Sequence, residues 1–370
     1  MTRYRAYLWA APLLVVSVLL VAMAFVPGVT GAKSGGFYRQ TNLVSDIPGI
    51  ARVTDPHLVN PWGLSHSPAS PWWVSDNGKG VSTLYQGDGT PFPVGSPLVV
   101  TIPPPAGGTS SAPTGNVFNG TGDFVVSEGS ASGPSRFIFA TEDGTISGWN
   151  PTVDPTNAIL KVDNSVSGAV YKGLAIGSNP SGNFLYATNF HAGTVDVFDA
   201  HFVAATLAGS FSDPTIPAGF APFGIQNINA QLYITYAKQD AARHDDVAGP
   251  GNGFVDVFDT NGNFIERLAS HGTLNSPWGL ALAPNGFGRF GKDLLVGNFG
   301  DGRINAFDPN TGAFRGQLND QRGNPITIDG LWALGFGNGS LAGAADTLFF
   351  TAGINDEADG LFGSITKGAG

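Results

Sequence analysis

The tetrapeptide PWGL at residues 61–64 returns as PTGN at 113–116, YKGL at 171–174, PFGI at 222–225, PWGL at 277–280 and LWAL at 331–334. Successive openings are 52, 58, 51, 55 and 54 residues apart. A period of this length marks a repeat architecture, in which one unit buries its faces only by stacking on its neighbours. Each opening leads to a short apolar strand, a turn and an alternating strand, as in WWVSDNGKGVSTLY, FLYATNFHAGTVDVF and LLVGNFGDGRINAF. The alternation in Thr194–Phe198 and Arg303–Phe307 has the two-residue period of a half-buried strand. Turn sequences follow at once: QGDG at 86–89, DTNG at 259–262 and DPNTG at 308–312.

A fourth strand is read after the turn in Leu98–Ile102, Ala158–Val162, Ala205–Phe211, Asn263–Leu268 and Ala313–Leu318. Four strands per unit make a propeller blade, so the sequence predicts an all-β, six-bladed β-propeller over residues 33–366 with a short tail at 367–370. The sixth unit lacks an outer strand, and Tyr38–Asp46 precedes the first unit with nothing to pair with. The N-terminal segment is therefore expected to complete the sixth blade and close the ring, which removes exposed sheet edges. Gly63, Gly115, Gly173, Gly224 and Gly279 fit a crowded innermost strand where backbones converge.

Composition agrees with this reading. The 370 residues include 53 Gly and 26 Pro, while 42% are hydrophobic, 11% aromatic and only 12% charged. Glycine and proline at that level punctuate a chain of many tight turns, and the apolar share is enough for a core. Cysteine is absent, which excludes disulfides, thiolate metal sites and Cys nucleophiles. The net charge of −10 makes nucleic acid an unsuitable partner. Gly286–Gly291 satisfies a dinucleotide-binding pattern literally, but no helix follows it, so it reads as a turn. There is no GxSxG and no P-loop.

The first 32 residues read as a signal peptide or signal anchor. Arg3 and Arg5 precede an apolar run from Leu8 to Val26, and Thr30-Gly31-Ala32 offers a cleavage point. The expected location is secreted or in the cell envelope, the only membrane contact being an uncleaved leader, and the expected state is a monomer.

In a four-stranded blade, the loop into the innermost strand and the loop between strands two and three lie on the same side of the ring. Strand ends there carry Asp76, Glu142, Asn189, Tyr236 and Asn298, with Ala352 in the sixth unit, and the loops add His57, Asn60, His271, Asn275 and Asp329. Oxygen donors in number at a channel mouth suit a hard divalent cation such as Ca²⁺, or a sugar or lactone held by hydrogen bonds. Asn and Asp also follow strands simply because they bond their own turn backbone. The insertion Ala237–Asn252, with Arg243-His244-Asp245-Asp246, reads as a lid or specificity loop, or else a solvated excursion. Trp62, Trp278 and Trp332 share one repeat position and read as packing residues, whereas His66, His191 and His201 read as surface or turn residues.

FYRQTNLVSDIPG, DPHLVNPWGLSHSPASPWWVSDN, FIFATEDGTISGW, YKGLAIG, LYATNFHAGTVDVFD and SPWGLALAP together resemble a family of exported bacterial proteins, some of which end in a PEP sorting signal. The resemblance runs from Phe37 to about Ile365, and the final TKGAG is not such a tail. More distantly the blades resemble NHL-type repeats and gluconolactonase-like propellers. That likeness implies an oxygen-ligated metal, which by repeat position falls on Asp76, Glu142, Asn189 and Asn298. Two functional readings follow. One is a binding or scaffold module recognising a small molecule, glycan or envelope protein through Asn60, Tyr236, His271, Asn275, Asp329, Arg243 and His244. The other is a Ca²⁺-dependent lactonase-type hydrolase with Asp76 or Glu142 as general base.

Overall fold

The six openings form six innermost strands, each of which packs against the next until the sixth meets the first. The computed structural model describes residues 36–368, so the leader at 1–32 lies outside the described residues. Blade 1 comprises Pro61–Ser65, Trp72–Asp76, Val81–Tyr85 and Val99–Thr101; blade 2 comprises Pro113–Phe118, Phe137–Thr141, Thr145–Trp149 and Ile159–Asp163. Blade 4 runs from Phe220–Ile228 to Phe264–Ser270 and blade 5 from Pro277–Leu282 to Phe314–Gln317, both as four-stranded antiparallel meanders. Among the described residues helix is limited to three single 3₁₀ turns.

The closure expected from the sequence is present. Tyr38–Ser45 pairs antiparallel with Leu361–Lys367, from Tyr38 opposite Lys367 to Ser45 opposite Leu361, and so becomes the fourth strand of blade 6. Tyr38 also packs between Phe287 and Phe290 of blade 5.

Glycine holds the third position of the first five openings, and in four of them close approach requires it. A Cβ on Gly63 would lie 2.3 Å from Thr114 O, one on Gly115 2.3 Å from Leu174 N, one on Gly224 2.1 Å from Trp278 O and one on Gly279 2.5 Å from Trp332 O. Each collision falls on the next blade's innermost strand. Hydroxyls tie the same seam: Thr114 donates to Tyr171 O at 2.7 Å, Thr188 to Phe223 O at 2.7 Å and Thr351 to Trp62 O at 2.5 Å.

Three local expectations are corrected. Blade 3 has only Tyr171–Asn179, Gly182–Asn189 and Thr194–Phe198; residues 205–211 do not form its outer strand. Ala205 still donates to Val197 O of the third strand, but the segment then leans on blade 4, where Gly209 and Phe211 donate backbone bonds to Asn261 O and Gly262 O. Polar residues of the alternating strands do not all face water, because blades stack on both sides. Asn305 is fully buried and donates to Thr273 O. Blade 2 also carries a separate hairpin, Val125–Glu128 with Ala131–Pro134, that interrupts the repeat.

Candidate functional site

The second residue of each opening points opposite to the third, because strand side chains alternate. In four blades it is a large aromatic, and these meet at the upper end of the ring, the side where innermost strands begin. Trp62 stacks on Trp332 at 3.5 Å between ring centroids, while Trp278 and Phe223 lie 5.7 and 5.8 Å from Trp332. The three indoles are buried and form a stopper, as their packing role in the sequence suggests. Beneath it the channel narrows to a space of about 30 Å³.

In blade 3 the same position is Lys172. It is the one buried lysine among the described residues, 2% exposed, with Nζ 5.1 Å from the Trp62 ring centroid and 5.9 Å from that of Phe190. Its ammonium donates to Glu142 Oε1 and, at 3.2 Å, to Asp245 Oδ1. Burial alone would lower the lysine pKa, but the two carboxylates outweigh it and hold the value above normal. Glu142 comes from the turn after blade 2's second strand, and its Oε2 accepts from Asn77 Nδ2 at 2.8 Å. Asp245 comes from the insertion in blade 4 and is 67% exposed; His244 Nδ1 lies 2.9 Å from its Oδ1. Burial works to raise Asp245, and the Lys172 charge together with the hydrogen bond and charge of His244 more than reverses it, so this carboxyl titrates below the usual range.

Glu357, in the loop between the second and third strands of blade 6, completes the cluster. Burial first, and the charge of Glu142 second, push its carboxyl up to about 7, and its Oε1 is buried without a partner among the described residues. The backbone that carries it is unusual. Asn355, Asp356 and Glu357 have φ of 56°, 53° and 63°, three successive non-glycine residues in the left-handed region. Asp329 Oδ2 accepts from Asn355 N at 2.9 Å and secures this loop.

The structure gathers part of the residue set read from the sequence. Glu142, Asn60 and His244 belong to the cluster, with Asn60 Oδ1 accepting from Trp332 Nε1 at 3.2 Å. His271 and Asn275 brace the insertion through Gly251 O and Gly249 N, while Arg243 is exposed with φ of 56°. Tyr236 turns into blade 4, where burial raises its hydroxyl pKa, and it does not face the mouth.

The four positions implied as metal ligands do not converge. Asp76 is fully buried in its own blade, accepts from Thr83 at 2.8 Å, and is pushed well above the carboxylate range by burial. Asn189 donates to Asp196 at 3.0 Å and Asn298 to Thr273 O at 2.8 Å, each bracing a local turn. Glu142 is not at the equivalent position. Register places Thr141 opposite Pro113, as Asp76 lies opposite Pro61, so Glu142 stands one residue farther on and therefore points elsewhere.

Glu142, His244 and Asp245 do bring three ligand atoms within 4.8 Å of one another. This donor set does not fit a resident divalent cation, because both carboxylates are already engaged by the buried ammonium of Lys172. Calcium, moreover, takes six to eight oxygens.

Lys172, Asp245 and Glu357 were missed as a set in the sequence. The usable signal was a lysine at a repeat position otherwise held mostly by large aromatics.

No family model matches the chain. It is 36% identical over 332 residues to an uncharacterised protein of Acanthamoeba polyphaga mimivirus, covering 88% of this chain and 79% of the relative. A second uncharacterised mimivirus protein is 33% identical over 332 residues, covering 88% and 84%. Among solved structures, a glucose dehydrogenase superposes with a TM-score of 0.52 at 12% identity over 90% of this chain and all of its own, a likeness of fold. A gluconolactonase of Xanthomonas campestris reaches only 0.40, at 16% identity over 63% of this chain and 83% of its own.

Proposed function

The chain belongs to the same family as these two mimivirus proteins, and we propose that it is a ligand-binding propeller whose site is the upper mouth around Lys172. One observation carries this reading. A fully buried ammonium sits over the aromatic stopper and is held by carboxylates from two different blades, one of them on an exposed insertion. Burying a charge is costly unless it is closely paired, and packing alone would be met by another aromatic residue at this position. The ligand is a small polar molecule or a glycan unit offering acceptors to Lys172 and Asn77 and hydroxyls to Glu142. Asp245 stands where a ligand acceptor would meet the ammonium, which makes the insertion a specificity loop. A leader over residues 1–32, as read from the sequence, supports action outside the cytoplasm. Calcium has no part in this reading, for the reason of charge given above.

A second reading is favoured by Glu357 specifically. A carboxyl raised to about 7 beside the Lys172–Glu142 pair, on a strained loop, is suited to general acid–base work on a bound ester or lactone without metal.

A thermal-shift screen of sugar acids, lactones and glycans tests both. Compounds that stabilise the protein are expected to lose at least about tenfold in affinity in Lys172→Met, Glu142→Gln and a variant with residues 240–248 shortened. Chelation is expected to leave the melting temperature unchanged. Compounds that bind all three variants unchanged would place the site elsewhere. If Glu357→Gln retains binding but loses turnover of a hydrolysed hit, the second reading prevails.

A further inference from the structure

The opposite end of the ring holds a second cavity, unlike the first in chemistry. Where the innermost strands of five blades end, they enclose a funnel of about 400 Å³, within the size range of small-molecule sites. Among the described residues no Asp, Glu, Lys or Arg lines it. Leu64, Phe118, Ile176 and Phe336 supply partly buried apolar walls, and His66, edge-on to Trp72 at 4.5 Å, is fixed by Ser67 O and Phe336 O at 2.9 Å each. The funnel shares Leu64, Asn116, Gln226 and Leu334 with the narrow space below the indole stopper, so it ends blind.

Its floor carries unmet hydrogen-bonding capacity. Asn116 is 6% exposed and uses Nδ2 on Trp73 O at 3.1 Å, while its Oδ1 is buried with no partner among the described residues. Among the described residues the hydroxyl of Ser65 is likewise buried and unpartnered, and Gln226 adds an exposed amide to the lining. Asn227, beside it, is already spent on Ile176 O at 2.8 Å.

We infer that this lower funnel is a binding site for a neutral saccharide. A cationic ligand would give up hydration with no opposite charge to meet it, and an anionic one would find only His66, whose two ring nitrogens already lie against carbonyl oxygens. A hydrocarbon would fill the walls but leave the Asn116 oxygen unsatisfied. A neutral sugar exchanges hydrogen bonds with the exposed Gln226 amide, offers hydroxyls to Asn116 and Ser65 when their side chains turn toward it, and lays its C–H face on Phe118 and Phe336.

The test uses the protein without its leader and saturation-transfer NMR with maltose, cellobiose and trehalose at about 10 mM, against gluconate and glucosamine as charged controls. At least one neutral disaccharide is expected to receive saturation and to titrate in the millimolar range, with the charged sugars at least about tenfold weaker. Gln226→Trp, an exposed position that would fill the funnel, is expected to abolish the transfer, and Phe336→Ala to weaken it. Lys172→Met is expected to leave it unchanged, which separates this site from the upper mouth. The inference is overturned if no neutral sugar responds, if Gln226→Trp binds as well as the parent protein, or if gluconate or glucosamine binds as tightly.

Discussion

Gly224 shows what the ring demands of a single position. The space for its Cβ is taken by the Trp278 carbonyl oxygen, 2.1 Å away and part of the neighbouring backbone, so neither partner has a flexible end to move. Gly224→Ala is therefore expected to cost about 1–3 kcal/mol or more, read as a lower urea midpoint with unchanged slope. Ala333 occupies the same place in the sixth opening, where a Cβ is accommodated, so Ala333→Gly is expected to change stability far less. These glycines could be read directly from the repeat, because close approach leaves a residue-type signature. Lys172 could not be read in the same way. One position in a repeat records that a residue is unusual there, but its partners, Glu142, Asp245 and Glu357, come from three other blades. The repeat does not encode which side chains converge across the axis. Glu142 illustrates the limit, since a shift of one residue in a bulged strand pairing moved it from the expected ring into the cluster.

At the scale of the strand, the decisive element is Tyr38–Ser45. It supplies the outer edge of blade 6, lies beside the short parallel strand Val53–Thr54, and anchors Tyr38 against blade 5. A protein beginning at residue 47 would present an open blade with unpaired backbone along Leu361–Lys367. Its expected behaviour is loss of the cooperative melting transition or a drop of more than about 10 °C, with early proteolytic cleavage in blade 6. An unchanged melting curve would mean that closure contributes little. This strand was legible because the blade count came out one short at the end and one over at the start. The missing outer strand of blade 3 was not legible, since residues 205–211 keep strand-like composition while Gly209 and Phe211 bond to the turn of the following blade. Their sequence records the wish to be extended and not the partner chosen.

For the molecule as a whole, buried acids set the response to pH. Burial raises Asp256 to about 7 despite Arg267, whose Nε lies 3.1 Å from Oδ1, and Glu357 is raised to about 7 as well. A carboxyl that binds its proton more tightly when folded stabilises the fold fully below its unfolded pKa, near 4, and loses that contribution as pH climbs to its folded value. Asp88 and Asp154 behave oppositely, being held low by the backbone amides of Thr90 and Thr156, and their contribution fades only below about pH 4. Melting temperature is thus expected to peak near pH 4–5 and to decline by several degrees toward pH 8. Asp256→Asn should flatten part of that decline, and a curve that instead rises from pH 5 to 8 would contradict the assignment. The ring and its two unlike mouths follow from six similar modules, and the sequence repeat revealed the ring while the contents of the mouths needed three dimensions.

The buckle of the ring also sets how it would yield to force. Tyr38 lies opposite Lys367, so the outward ends of the first and last strands sit at the same end of one antiparallel pair. Tension applied to those two ends would load the hydrogen bonds one after another, as a zipper is opened, and not all together in shear. A ring that resists heat by closing on itself would therefore be mechanically soft at one known seam, and under a pulled tether it would open there first, blade 6 parting before any other.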